Sequence, residues 1–253
     1  MKQILILFTA VFCFGSCQKT SEIIFEDNFD GNKLNKKFWS YDLGDGCPNL
    51  CGWGNNERQI YAEENVTLEN GKLIITATKD STGYKSGKIH TKKKVEFQYG
   101  TVEVRAKLAT GSGLWPAIWL LGSDIDSSTW PACGEIDIME YVGREPGKYF
   151  TSLHTPDSFG NTVNTKKTTV ENIEEGFHIY KTIWTKDSIE FYIDNNNIYT
   201  FSPEVKNVKT WPFNKPFYLI LNLAIGGNFG GPEVDDSIFP KEFLIDYIKI
   251  YKD

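Results

Sequence analysis

Residues 101–108 alternate without a break: Val102, Val104, Ala106 and Leu108 take one side, and Glu103, Arg105 and Lys107 the other. A period of two is that of a strand with one buried face. Residues 73–78 form a β-branched run after the turn Asn70-Gly71. Residues 188–193 and 198–201 flank Asp194-Asn195-Asn196-Asn197, which reads as a hairpin. Residues 217–225 are long and continuously apolar, as expected of a strand buried on both faces, and residues 243–251 supply a last strand. No amphipathic helix of convincing length, internal repeat or low-complexity linker interrupts the series. The pattern predicts one all-β domain, a sandwich of two packed antiparallel sheets, with closure into a barrel as the alternative.

Composition narrows the picture. The chain has 253 residues, a length at which an all-β sandwich is commonly one domain. Hydrophobic residues make up 40% and charged residues 24%, which excludes a disordered chain. Net charge is −6 and no basic run exceeds Lys92-Lys93-Lys94, so a nucleic-acid partner is not expected. Seven Trp among 14% aromatics suit stacking on the flat faces of sugars, although most tryptophans in any protein serve packing.

The N-terminus reads as an address. Lys2 precedes an apolar run over 4–14 broken by Thr9, and Gly15-Ser16 leads into Cys17. The run is shorter than the roughly 20 residues that span a bilayer. Positive start, short apolar stretch and small-residue exit mark an export signal. The Cys directly after Gly15-Ser16 resembles a bacterial lipoprotein signal, cut before Cys17 and lipidated there; an ordinary secretory signal is the alternative. Residues 1–16 are thus the expected signal, 17–22 a lipidated Cys and short tether, and 23–253 the folded domain on a cell-envelope membrane, outer-membrane or cell-surface.

Export places Cys47, Cys51 and Cys133 in an oxidising compartment, where Cys47 and Cys51 could close a loop around Pro48. Spacing alone leaves that pairing open. His90, His154 and His178 are scattered, which argues against zinc. The run Gly226-Gly227-Asn228-Phe229-Gly230-Gly231 lacks the Lys-Ser/Thr of a phosphate loop and reads as a sharp loop.

Chemistry concentrates in Gly134-Glu135-Ile136-Asp137-Ile138-Met139-Glu140. In a strand Glu135 and Asp137 share a face, whereas Glu140 turns away unless one extra residue intervenes. A β-bulge near Ile138-Met139 restores it. Two glutamates so placed can bring their carboxyls to the ~5–5.5 Å used by retaining glycosidases. Crowded acids among apolar neighbours also separate their pKa values, one ionised and another protonated. A solvated acidic face or a calcium site are the competing readings. Trp130 just before the acids, and Trp115 and Trp119 one strand earlier, speak against a solvated face, although core packing is the simpler reading of Trp115 or Trp119 taken alone.

That heptapeptide resembles the catalytic signature of glycoside hydrolase family 16, whose members are β-jelly-roll enzymes with a concave substrate cleft. Gly52-Trp53-Gly54-Asn55-Asn56-Glu57, residues 97–107, 113–121, 130–133 and 221–227, and the closing Ile245-Asp246-Tyr247-Ile248-Lys249-Ile250-Tyr251 resemble its laminarinase (endo-β-1,3-glucanase) branch. The resemblance implies a retaining endo-hydrolase of β-glucan needing no catalytic cofactor and expected to be a monomer. It implies Glu135 as nucleophile, Glu140 as acid/base, and Asp137 as the residue that tunes Glu135. Trp130 would meet the sugar at the cleavage point, Trp53, Trp115 and Trp119 would line the groove, His154 would sit beside the acid/base, and Asn55 and Asn228 would bind hydroxyls. Phe229 stands where many laminarinases carry Trp, and Arg58-Gln59-Ile60-Tyr61 departs from a more aromatic run. A mixed-linkage β-1,3-1,4-glucanase, an algal galactanase and a non-catalytic β-glucan-binding protein remain alternatives.

A structural calcium ion is also implied, on Glu26, Gly71 and Asp246. Asp246 shares its parity with Leu244, Ile248 and Ile250, which predicts a carboxylate on an apolar face in need of compensation. A hydrogen bond or a nearby Lys is the simpler account.

Overall fold

A computed structural model describes residues 22–252. The expected signal over 1–16, Cys17 and most of the tether lie outside the described residues.

The strands form a ten-stranded and an eight-stranded sheet. In the first, Asn196–Phe201, Ile189–Ile193, His178–Trp184, Gly100–Lys107, Lys241–Lys252, Leu73–Asp80, Gly83–Ser86 and Gln59–Tyr61 lie side by side. Glu22–Asp27 adds to Lys241–Lys252, and Val66–Leu68 to Leu73–Asp80. In the second the order is Lys166–Thr169, Lys148–His154, Glu135–Glu140, Leu114–Gly122, Phe217–Ile225, Lys88–His90 and Ser40–Tyr41, with Glu96–Phe97 also on Phe217–Ile225. Nearly all pairs are antiparallel; Gln59–Tyr61 runs parallel to Gly83–Ser86. This is the all-β sandwich of two antiparallel sheets that the alternation predicts, in the jelly-roll form that the resemblance implies.

The core lies between the sheets. Val102, Val104 and Ala106 from one sheet and Leu114, Ile118, Leu120, Ile136 and Ile138 from the other are all 0% exposed. Glu103, Arg105 and Lys107 point away from it, as alternation requires. Every residue of Phe217–Ile225 is buried: on the second face of this strand Tyr218 and Ile220 cluster with Leu121 and Cys133, and Trp119 and Ile125 pack against them. The hairpin is tighter than expected: Asp194 and Asn195 take φ of 47° and 70°, and the return strand starts at Asn196. A two-residue turn with both φ positive matches strand twist, and Asp and Asn tolerate it.

The expectation for Asp246 is corrected. Ile245 pairs with Ala106 and Tyr247 with Arg105, so Asp246 is an extra residue in its strand. Phe243 and Ile245 before it, and Ile248 and Ile250 after it, are the inward residues. A bulge breaks parity, and the carboxylate leaves the apolar face to meet Arg105 Nη1 at 2.5 Å. The compensating cation is an arginine rather than a lysine.

Candidate active site

The strand Glu135–Glu140 carries the expected bulge. Asp137 pairs with Trp119 and Met139 with Ile118 on the next strand, leaving Ile138 unpaired. Ile138 and Met139 are both fully buried, and Glu140 returns to the face of Glu135 and Asp137. A bulge frees backbone carbonyls, and buried carbonyls need donors. Thr151 Oγ1 donates to Asp137 O at 2.6 Å, and Tyr149 OH donates to Ile138 O. Both come from Lys148–His154, so the neighbouring strand holds the irregularity in place.

The acids share one partly dry pocket. Glu135 keeps 17% of its side chain exposed and Asp137 6%, and Glu140 is 9% exposed as a whole residue. Burial raises Glu135 to about 8; Asp137 pushes it further up while His154 pulls it down. Burial likewise holds Asp137 and Glu140 near about 8. Three carboxyls so placed cannot all ionise at neutral pH. Glu135 retains the most access to solvent of the three. Asp137 Oδ2 lies 3.0 Å from His154 Nε2, but no donor is aligned on it. Protonation makes that oxygen a donor within a cluster whose Glu135, Asp137 and His154 atoms all lie within 4.8 Å of one another.

His154 is placed differently from the expectation. It pairs across the strands with Glu135, its Nε2 3.5 Å from Glu135 Oε1, and so sits on the side of the expected nucleophile rather than beside Glu140. Gly160 N–H donates to His154 Nδ1 at 3.1 Å, which leaves the ring proton on Nε2, facing the acids. Glu140 instead receives Trp115 Nε1–H at 3.0 Å on Oε1 and a bond involving Ser152.

The aromatic walls follow. Trp115 and Trp119 are four apart on Leu114–Gly122 and both emerge on the face of the acids. Trp119 Nε1 donates to Asn222 Oδ1 at 2.8 Å. Phe229 meets Trp115 edge-on at 5.4 Å, keeping an aromatic corner where Trp was the expected residue. Trp130 stands over His154 at 5.6 Å and hydrogen-bonds Glu135. Trp53 joins through Lys88, whose Nζ lies 4.1 Å from its ring centre and 5.4 Å from that of Trp119. Asn55 O accepts the Asn228 N–H at 2.7 Å, tying the loop after Phe217–Ile225 to the 52–57 segment. Gly227 at that joint has φ +84°, and a Cβ there would come 2.8 Å from Asn55 O. Asn228 is exposed at the rim, whereas the Asn55 amide is taken up by Glu57. Cys47 and Cys51 are disulfide-bonded beside this segment, and Cys133 is buried and free.

Sequence reasoning missed a polar network under this rim. Glu57 accepts from Gln59 Nε2 at 2.6 Å, Tyr61 OH at 3.0 Å and Asn55 Nδ2 at 3.3 Å. Burial raises its pKa while Lys88 and these donors oppose the rise. Lys88 is 9% exposed and pairs with Asp42 at 3.3 Å. Asn222 was detectable, as the single amide within an otherwise apolar and aromatic strand. Lys88 was not, because an exposed and a buried lysine look alike in sequence.

Two glutamates flanking a bulge, one more open and one buried, within an aromatic-walled face, are the equipment of a carbohydrate-cleaving hydrolase. Residues 54–248 match the family description Glycosyl hydrolases family 16, and the chain belongs to that family. It is 39% identical over 91% of its length to the glucan endo-1,3-beta-glucosidase A1 of Niallia circulans, of which it spans 38%. It is 36% identical over 91% of its length to the beta-glucanase of Rhodothermus marinus, of which it spans 85%. The laminarinase structure from Flavobacterium sp. UMI-01 matches with a TM-score of 0.90 at 58% identity, covering 91% of this chain and 100% of that one. The protein is a glycoside hydrolase.

Proposed function

We propose that this protein is a retaining endo-β-1,3-glucanase acting on laminarin-type glucan as a monomer. The observation that carries the reading is the bulge that turns Glu135 and Glu140 to one face between Trp115 and Trp130. The activities named for the similar proteins point to the same substrate class. Glu135 attacks the anomeric carbon and forms a glycosyl-enzyme. Glu140, held neutral by burial, protonates the leaving oxygen and then, as carboxylate, takes a proton from the incoming water. His154 favours the charge on Glu135, and Asp137 tunes it, opposing that charge when ionised and not when protonated. Reducing-sugar release should be greatest from laminarin when lichenan, agarose and porphyran are tested beside it. Greater release from lichenan or a galactan replaces the substrate assignment, and binding of laminarin without release replaces the enzyme by a lectin-like protein.

The signal grammar of residues 1–17 supports an exported enzyme anchored to the bacterial envelope through lipidated Cys17. Cys17→Ser should release it to the soluble fraction or block its processing. An acyl-free mature wild type with another N-terminus removes the anchor.

Calcium belongs to the same proposal, as a structural ion with no part in the chemistry. Asp30 Oδ1 would lie 3.8 Å from a Cβ on Gly71, and Glu26, Asn28 and Asp30 line one cavity. The fit is incomplete, because Glu26 pairs with Lys249 at 3.4 Å and Asp246 with Arg105. An ion on Glu26, the Gly71 carbonyl and Asp246 has to compete with both cations. Its binding to the folded state alone raises Tm by mass action. Chelator should lower the Tm of the wild type and added calcium restore it, while Asp246→Ala loses that response. An unchanged Tm in both proteins leaves Asp246 as the partner of Arg105 alone.

A further inference from the structure

Phe159 is an exposed aromatic that the acid cluster does not use. It is 50% exposed at the tip of the segment following Lys148–His154, and its ring meets Trp130 edge-on at 5.3 Å and 82°. A single exposed Phe is ordinary. This one is held in place by the backbone around it. Thr155 and Ser158 exchange N–H···O bonds at 2.9 and 3.0 Å. Ser158 Oγ accepts Val163 N–H at 2.9 Å, and Thr162 Oγ1 donates to Leu153 O at 3.0 Å. Gly160 N–H ends on His154, and Asp157 N–H on Lys209 O at 3.1 Å. The ring is therefore presented at a fixed place beside Trp130, itself 39% exposed, and ordering it on binding costs little.

The site has two unlike halves. On the Phe217–Ile225 side, Trp53, Trp119, Lys88 and Asn222 form a floor tied together by buried polar contacts. On the Lys148–His154 side, Trp130 and Phe159 form an open rim. A double displacement needs one half of the glycan held while the other departs and water enters. The tied floor suits the half that stays, and the open rim suits the half that leaves.

We propose that Phe159, with Trp130, is the platform for the leaving half of the glucan and sets the preference for long chains. This rests on the endo-glucanase reading. The test compares laminarihexaose, which fills both halves, with a β-laminaritriosyl fluoride, whose leaving group is a single atom. Phe159→Ala should raise KM for the hexaose by about three- to tenfold, the size of an aromatic contact, and change kcat/KM for the fluoride by less than about twofold. Phe159→Tyr, which keeps the ring, should restore the hexaose KM. Equal losses on both substrates, a loss on the fluoride alone, or no change on either overturns the proposal. Wild type that cleaves neither substrate overturns the glucanase reading instead, so the two failures are distinct.

Discussion

Glu135→Gln lowers kcat on laminarin by at least about 10⁴-fold, the expected loss when a nucleophile is removed and binding alone remains. Amide and carboxylate are nearly the same size, so Trp130 and His154 keep their neighbour and oligosaccharide affinity stays within a few-fold. Stability moves the other way. Burial raises Glu135 to about 8 in the folded protein, above the ordinary carboxylate value. The native state therefore binds more protons than the unfolded chain between about pH 4.5 and 8, and stability contributed below that window is lost as pH rises through it. The glutamine variant has no such loss. Its Tm should match the wild type near pH 4.5 and exceed it by a margin that widens as the pH is raised to 8. Near-normal kcat in the variant, or inversion in NMR spectra of early products, removes Glu135 as the nucleophile.

Glu140→Ala reduces turnover of natural glucan by about 10²–10⁴-fold, the usual contribution of a general acid–base. An aryl glycoside with an activated leaving group needs no proton from the enzyme and loses much less in the bond-breaking step. The variant leaves a small cavity under Trp115, whose Nε1–H had been bound to Glu140 Oε1. Azide fits that space, needs no general base and attacks the glycosyl-enzyme from the face the water would have used. The product is a β-glycosyl azide, identified by NMR. No rescue, together with equal losses on activated and natural substrates, assigns the acid elsewhere.

Parity along 101–108 and the apolar run 217–225 were enough to place two central strands, because side-chain direction in a strand is a local property. Parity also exposed the irregularity at 138–139: three acids can share a face only if one residue is out of step. What holds that residue was not legible. Tyr149 and Thr151 donate to the freed carbonyls from the next strand, and nothing in their own neighbourhood marks them for it. The same lesson in reverse applies to Asp246. Its parity predicted an apolar face, and a bulge without any local sequence signal turned it to Arg105, 141 positions away.

By itself the sequence determined the all-β class, the acid-bearing strand and the aromatic stock near it, since alternation, β-branching and residue type act over a few positions. Only the tertiary structure decided that His154 faces Glu135 rather than Glu140, that Lys88 lies between Trp53 and Trp119, and that the half-buried Glu57 accepts from three donors. Each of these depends on which strands become neighbours and in what register. Register is fixed by burying the whole apolar face of every strand at once, so no short stretch of chain contains it.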